Sequence, residues 1–248
     1  MQLRLLLDAA LDFIYPRIYC VCCGERLEKR AVHGICDNCC EAMPFIHDPR
    51  CHVCGKPAPE ESETCPECRY HNHEYDRALA VFEYSATIRE LIHRFKYNKE
   101  YTLSRTFGYF MTELLMECGW TADMIIPVPL HKNRLKSRGF NQSALLGDYL
   151  SQRINIPCEE DILIRSIDTK TQTGFHRQDR LKNLKNAFTV ICPEKVEGRN
   201  ILLVDDVHTT GATVDSCSKE LRRAGAGNIY VITAAAVLSD LATGRRRQ

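Results

Sequence analysis

The chain of 248 residues has almost no net charge, because 33 lysines and arginines stand against 32 aspartates and glutamates. No global field draws it towards nucleic acid, so any such contact has to come from local clusters. It also lacks an apolar run long enough to cross a bilayer: residues 1 to 15 are apolar in places, but Arg4, Asp8 and Asp12 interrupt them, and they fall short of the ~20 residues a span needs. Leu3, Leu6, Leu7, Ala10, Leu11 and Ile14 recur at helical spacing instead, which predicts an amphipathic helix packed on the rest. No export pattern precedes the first cysteines, so a cytoplasmic, reducing setting is expected, in which thiols bind metal rather than pair as disulfides. No residue stands out as a dedicated general base.

Cysteine is plentiful and unevenly placed, with ten of the 14 falling between Cys20 and Cys68. Four Cys-x-x-Cys units lie there: Cys20 with Cys23, Cys36 with Cys39, Cys51 with Cys54, and Cys65 with Cys68. Two thiolates separated by two residues can hold one metal from a tight turn, and two such turns complete a tetrahedral structural zinc site. Gly24 and Gly55 directly follow the second cysteine of a turn, where positive φ is useful. Two modules imply two zinc ions. The intervening lengths are short for a zinc ribbon, so exchanged pairing between modules stays open. Cys22 and Cys40 are left over as bystanders, although Cys22 beside Cys23 leaves the ligand of that turn ambiguous. With Glu60, Glu61, Glu63, Glu67 and several prolines, the segment has little apolar material for a core, and metal would supply most of its folding energy. Residues 1–76 are therefore expected to form an N-terminal helix plus zinc-binding segment, and residues 77–248 a separate domain.

From Arg77 the pattern becomes an alternation of strands and helices. Residues 78–84 read as a strand, and 86–95 as a helix with Ile88, Leu91, Ile92 and Phe95 on one face. A second helix carries Leu103, Phe107, Phe110, Met111, Leu114 and Leu115 and ends by Gly119. Residues 124–128 read as a buried strand, 162–167 as another, and 229–237 as a last long one. Such alternation predicts an open, mostly parallel sheet flanked by helices.

The most informative stretch is residues 200–213. Ile201 to Val204 make an uninterrupted apolar run suited to a strand buried on both faces, and Asp205 and Asp206 follow where ligands of open α/β sheets sit. Thr209, Thr210, Gly211, Ala212 and Thr213 then lead into a helix over roughly 213–224. Amides at that helix start, the threonine hydroxyls and a glycine allowing close approach can hold a phosphate. Two adjacent carboxylates repel a phosphate, so they are expected to face sugar hydroxyls. A ribose 5-phosphate satisfies both halves.

Two basic stretches accompany it. Pro127-Val128-Pro129 leads into Lys132, Arg134, Lys136 and Arg138, a rigid turn plus cations that suits a diphosphate cradle. The polar segment 168–186 carries Arg177, Arg180, Lys182 and Lys185 and reads as a mobile loop able to close over an anion and exclude water. Arg245 to Arg247 form a third basic group in a tail expected to fray.

Taken together, the paired Cys-x-x-Cys modules, Lys96-Tyr97, Pro127-Val128-Pro129-Leu130, Arg134-Leu135-Lys136-Ser137-Arg138-Gly139-Phe140-Asn141-Gln142, Gln172 with residues 180–188, and residues 204–213 resemble the ComF family. These are phosphoribosyltransferase-like competence proteins, including those of the GntX type linked to DNA utilisation. The resemblance implies a type I phosphoribosyltransferase fold with an N-terminal zinc finger, and a role in handling imported single-stranded DNA. It further implies phosphoribosyl pyrophosphate (PRPP) with magnesium as ligand, Asp205 and Asp206 on the ribose hydroxyls, and residues 209–213 on the 5-phosphate. Arg134 and Arg138 would face the leaving diphosphate, with Arg177 and Arg180 closing over it. Three readings follow: phosphoribosyl transfer with diphosphate release, binding of PRPP or a nucleotide without turnover, and a module that binds single-stranded DNA or docks a helicase-like competence protein. Metal analysis of purified protein is expected to find about two zinc ions per chain, and a value near zero would reject the paired modules as metal sites.

Overall fold

The structure is a computed structural model that describes residues 18–27, 31, 33–59, 62–167 and 187–238. The expected N-terminal helix, Glu60 and Glu61, the basic segment 168–186 with Arg177 and Arg180, and the arginines of the tail lie outside the described residues. The chain divides into two compact units, Met1–Met43 and Pro44–Gln248.

The first unit holds the first cysteine module. Gly24 donates its amide to the Cys20 carbonyl at 2.9 Å with φ at 75°, closing the expected turn, and Tyr19 bridges Arg26 beside it. Its other two cysteines sit at the start of α1 (Asp37–Glu41), where Cys36 is the N-cap. The second module repeats this plan at the start of the second unit. Gly55 donates to Cys51 O at 2.9 Å with φ at 67°, and Cys65 caps α2 (Pro66–Tyr70). The two capping cysteines share one backbone conformation, φ −73° and ψ 160° at Cys36, φ −70° and ψ 161° at Cys65.

A four-stranded, wholly parallel sheet forms the centre of the second unit. Its strands are β1 (Arg77–Glu83), β2 (Met124–Pro127), β5 (Ile201–His208) and β6 (Ile229–Ala236), in the order β1-β6-β5-β2. Residues 201–204 are all buried, as a strand covered on both faces requires. The register aligns Ile126 with Leu203 and Leu203 with Val231. One face carries α8 (Ala212–Arg223), which buries Val214, Cys217 and Leu221 against Met124, Ile126, Leu203 and Val231. The other is covered by α4 (Leu103–Cys118) and α6 (Gln142–Ile154), which pack on each other and on the strands. Between β1 and α4 runs α3 (Ala86–Tyr97), burying the expected Ile88, Leu91, Ile92 and Phe95.

Four features differ from the sequence reading or add to it. The run over 162–167 leaves the sheet: β3 (Leu163–Arg165) pairs antiparallel with β4 (Phe188–Val190), and both lie on the α8 side through Leu163 and Phe188. The basic stretch after β2 is a helix, α5 (Lys132–Arg138), started by His131, whose ring accepts from the Asn133 amide, and stopped by Gly139. A short α7 (Pro193–Val196) precedes β5. Finally, β5 does not stop at Val204. Its ladder to β6 continues through Asp205↔Thr233 and His208↔Ala236, whereas β2 ends at Pro127↔Val204, with a last bond from the Val128 amide to Val204 O at 2.9 Å.

The second cysteine module lies directly on β1. Ala78 donates its amide to Val53 O at 2.7 Å, and a Cβ on Gly55 would fall 2.3 Å from Ala78 O. Gly55→Ala combines that collision with a disfavoured φ and is expected to destabilise by about 2–4 kcal/mol. Gly119→Ala, also at positive φ but with nothing within 4 Å, serves as the control and should cost about 1 kcal/mol. Equal costs in denaturant melts would show that the ribbon does not press on β1.

Candidate functional site

The site forms where β2 and β5 part. Beyond Val204 β2 no longer pairs with that side of β5, so its two acids emerge at the carboxyl edge of the sheet while β6 still holds their backbone. Asp206 is buried and its Oδ2 lies 2.8 Å from Lys96 Nζ, at the end of α3. Asp205 Oδ1 accepts from Ser143 Oγ, in the first turn of α6, and from the Asp206 amide, both at 2.9 Å. Burial, then repulsion by Asp206, pushes the Asp205 carboxyl up to about 7, against the pull of Lys96. Burial works against the charge of Lys96, but Asp206 and Asp205 outweigh it and hold the amine above the usual lysine value.

The loop that follows has three residues, Thr209, Thr210 and Gly211, before Ala212 and Thr213 open α8. Gly211 adopts φ 79°, and a Cβ there would approach the ring nitrogen Nε2 of His208 to 3.2 Å. Thr210 Oγ1 accepts from the Ala212 amide at 3.5 Å. Asp215, in the first turn of α8, ties the helix start to the segment before β1: its Oδ1 lies 3.0 Å from His73 Nδ1 and accepts from the Glu74 amide at 3.2 Å.

The cationic side comes from α5. Arg138 bonds the Oε1 of Gln142 and lies 5.2 Å over the Tyr97 ring, which brings it beside Lys96. Arg134 stands one turn earlier, at the i, i+4 spacing that shares a helix face. Gln142 Nε2 is buried with no partner among the described residues. Of the residues expected at the site, Asp205, Asp206, residues 209–213, Arg134 and Arg138 are therefore carried by elements meeting at one edge of the sheet. Lys96, Ser143, Gln142 and His73 were not among the expected ligand-facing groups. Local sequence offers no reason to join them to residues far along the chain; Lys96-Tyr97 and Gln142 appear only within the family-like motifs.

The metal sites are within the modules. The sulfurs of Cys20, Cys23, Cys36 and Cys39 lie within 4.8 Å of one another, and so do those of Cys51, Cys54, Cys65 and Cys68. Cys23 and Cys36 are 3.7 Å apart and Cys54 and Cys65 3.6 Å, close to the ~3.8 Å edge of a tetrahedron with zinc–sulfur bonds of about 2.3 Å. Thiolate sets of this size fit zinc. Pairing is within modules rather than exchanged, and Cys23, not Cys22, completes the first set.

A parallel sheet with paired acids and a threonine-glycine loop after one inner strand, in a chain with two four-cysteine sites, defines an α/β protein with zinc ribbons. Residues 10–69 match the double zinc ribbon domain family. The chain is 33% identical to Competence protein F of Haemophilus influenzae over 218 residues, 86% of this chain and 94% of that protein. It is 31% identical to DNA utilization protein YhgH of Escherichia coli O6:H1 over 219 residues, 81% and 96% of the two chains. Among solved structures, glutamine PRPP amidotransferase from B. subtilis, complexed with ADP and GMP, overlaps 53% of this chain and 26% of that one, with a TM-score of 0.38 and 21% identity. The chain belongs to the ComF family. No helix among the described residues is long and apolar enough to cross a membrane.

The raised Asp205 carboxyl has a stability consequence of definite sign. Its proton is kept in the folded state up to about pH 7 but lost in the unfolded chain near pH ~4, so folding is disfavoured progressively as pH rises between those values. Asp205→Asn is expected to match the wild type below about pH 4 and to be more stable by roughly 1–3 kcal/mol at about pH 8. Urea titrations at both pH values measure this, and a pH-independent difference would contradict it.

Proposed function

We propose that the edge between β2 and β5 binds PRPP or a related phosphorylated ribose, and that phosphoribosyl transfer with release of diphosphate is its reaction. One observation carries the reading: a carboxylate doublet and a short amide-and-hydroxyl loop leave the same strand within a few residues of each other, with Lys96 paired to Asp206 and Arg138 over the neighbouring Tyr97. Residues 209–213 receive the 5-phosphate, since the start of α8 favours an anion. Asp205 and Asp206 accept from the ribose hydroxyls, and their negative charge favours an oxocarbenium-like centre. Arg134 and Arg138 face the departing diphosphate, with Arg177 and Arg180 closing over it. Magnesium, bound with PRPP, supplies further charge neutralisation, and the same two carboxylates are the oxygen donors suited to it. Relatives named for competence and for DNA utilization support a place for this chemistry in the handling of DNA, and the partner in this reading is single-stranded DNA or a helicase-like protein.

A second reading, PRPP binding without turnover, draws on one specific contact. Lys96 already neutralises Asp206, which reduces the negative charge available to stabilise a cationic centre. Release of diphosphate separates the two readings.

Thermal unfolding with PRPP and magnesium tests both together. Ligand at about a hundred times its dissociation constant should stabilise the wild type by roughly 2.7 kcal/mol, and Asp205→Ala with Asp206→Ala should lose most of that gain. No shift at millimolar ligand would overturn both readings.

A further inference from the structure

The second zinc module reaches into the phosphate loop. Lys56 follows the Cys51–Cys54 turn immediately after Gly55, and its backbone is part of that turn, because the Cys51 amide donates to Lys56 O at 2.7 Å. Its side chain is only 5% exposed, an unusual place for an ammonium without partners. The Nζ has two: Glu67 Oε2 at 3.1 Å and the carbonyl oxygen of Thr209 at 3.3 Å. Glu67 lies on α2, between the capping residue Cys65 and the ligand Cys68. The ammonium is thus held by both arms of the second metal site and donates across to the first residue of the loop.

That donation has a directional consequence. The Thr209 carbonyl and the Thr210 amide share one planar trans peptide, in which C=O and N–H point in opposite directions. An ammonium that draws the carbonyl towards the ribbon turns the Thr210 N–H away from it. The segment between α2 and β1 braces the loop at two further points: His73 on Asp215 of α8, and Tyr75, whose hydroxyl lies 3.3 Å from His208 Nε2 at the end of β5.

We infer that Lys56 is a positioning residue that sets the peptide plane of the phosphate loop, so that the second zinc site, but not the first, controls the loop's affinity for a 5-phosphate. This rests on the proposed ligand for its second half only; the ordering of the loop by Lys56 does not depend on any ligand.

The test uses the full chain, with zinc content measured for every variant. In Lys56→Met holding two zinc ions, hydrogen exchange of the ligand-free protein should accelerate over residues 209–213 while β1 and α4 keep wild-type protection. Affinity for ribose 5-phosphate should fall about tenfold or more, as removal of a charged hydrogen bond implies. Cys65→Ser should reproduce both effects and Cys36→Ser neither, each with about one zinc fewer. Where the Met variant does not fold, Lys56→Gln, which retains a long stem without the charge, is measured in the same way. Unchanged exchange over 209–213 in a zinc-loaded variant overturns the inference. Unchanged affinity in a variant whose exchange has accelerated overturns the link to phosphate. A wild type that binds neither ribose 5-phosphate nor PRPP overturns the ligand reading instead, with the exchange result still deciding the role of Lys56.

Discussion

Unequal pairing along β5 is the constraint on which the site depends. On one side β6 follows the strand to its last residue, and on the other β2 leaves after Pro127. A backbone held on both sides would bury the acids in the ladder, and one released on both would let them turn to water. With one partner kept, Asp205 and Asp206 are fixed in position yet face the crevice between diverging chains, which is where open parallel sheets bind ligands.

Holding two carboxylates there is electrostatically costly, and the protein offsets the cost unequally. Asp206 receives an ammonium from the far end of α3. Asp205 receives a hydroxyl and a backbone amide, which favour its charged form, but burial and repulsion by Asp206 outweigh them and keep its proton to an unusual pH. Chemically similar neighbours thus become different groups, one paired with an ammonium and one that holds a proton up to about pH 7.

The two zinc ribbons show how one local structure takes on different duties. Their turns, glycines and capping cysteines agree closely in backbone conformation. Metal replaces the hydrophobic core that such short segments cannot assemble. The second ribbon also belongs to the compact unit that contains the sheet, lies on β1 through backbone contacts and sends Lys56 to Thr209. A residue next to a metal-binding turn then acts on a loop 153 positions later in the chain.

Much of this was legible in the sequence, because the signals are local. Cys-x-x-Cys spacing, the helical face of Ile88, Leu91, Ile92 and Phe95, and the passage from Ile201 through Asp206 to Gly211 each express geometry within a few residues. The composition change at Arg77 marks the start of β1, but the division into compact units falls between Met43 and Pro44, since docking of the second ribbon depends on contacts with β1 that composition does not encode. For the same reason sequence alone joined neither Lys96 to Asp206, nor Ser143 to Asp205, nor Lys56 to Thr209. Short-range periodicity specifies which elements form and which chemical groups they carry; only the packed sheet decides which of those groups become neighbours, because desolvation and pairing are properties of the assembled surroundings.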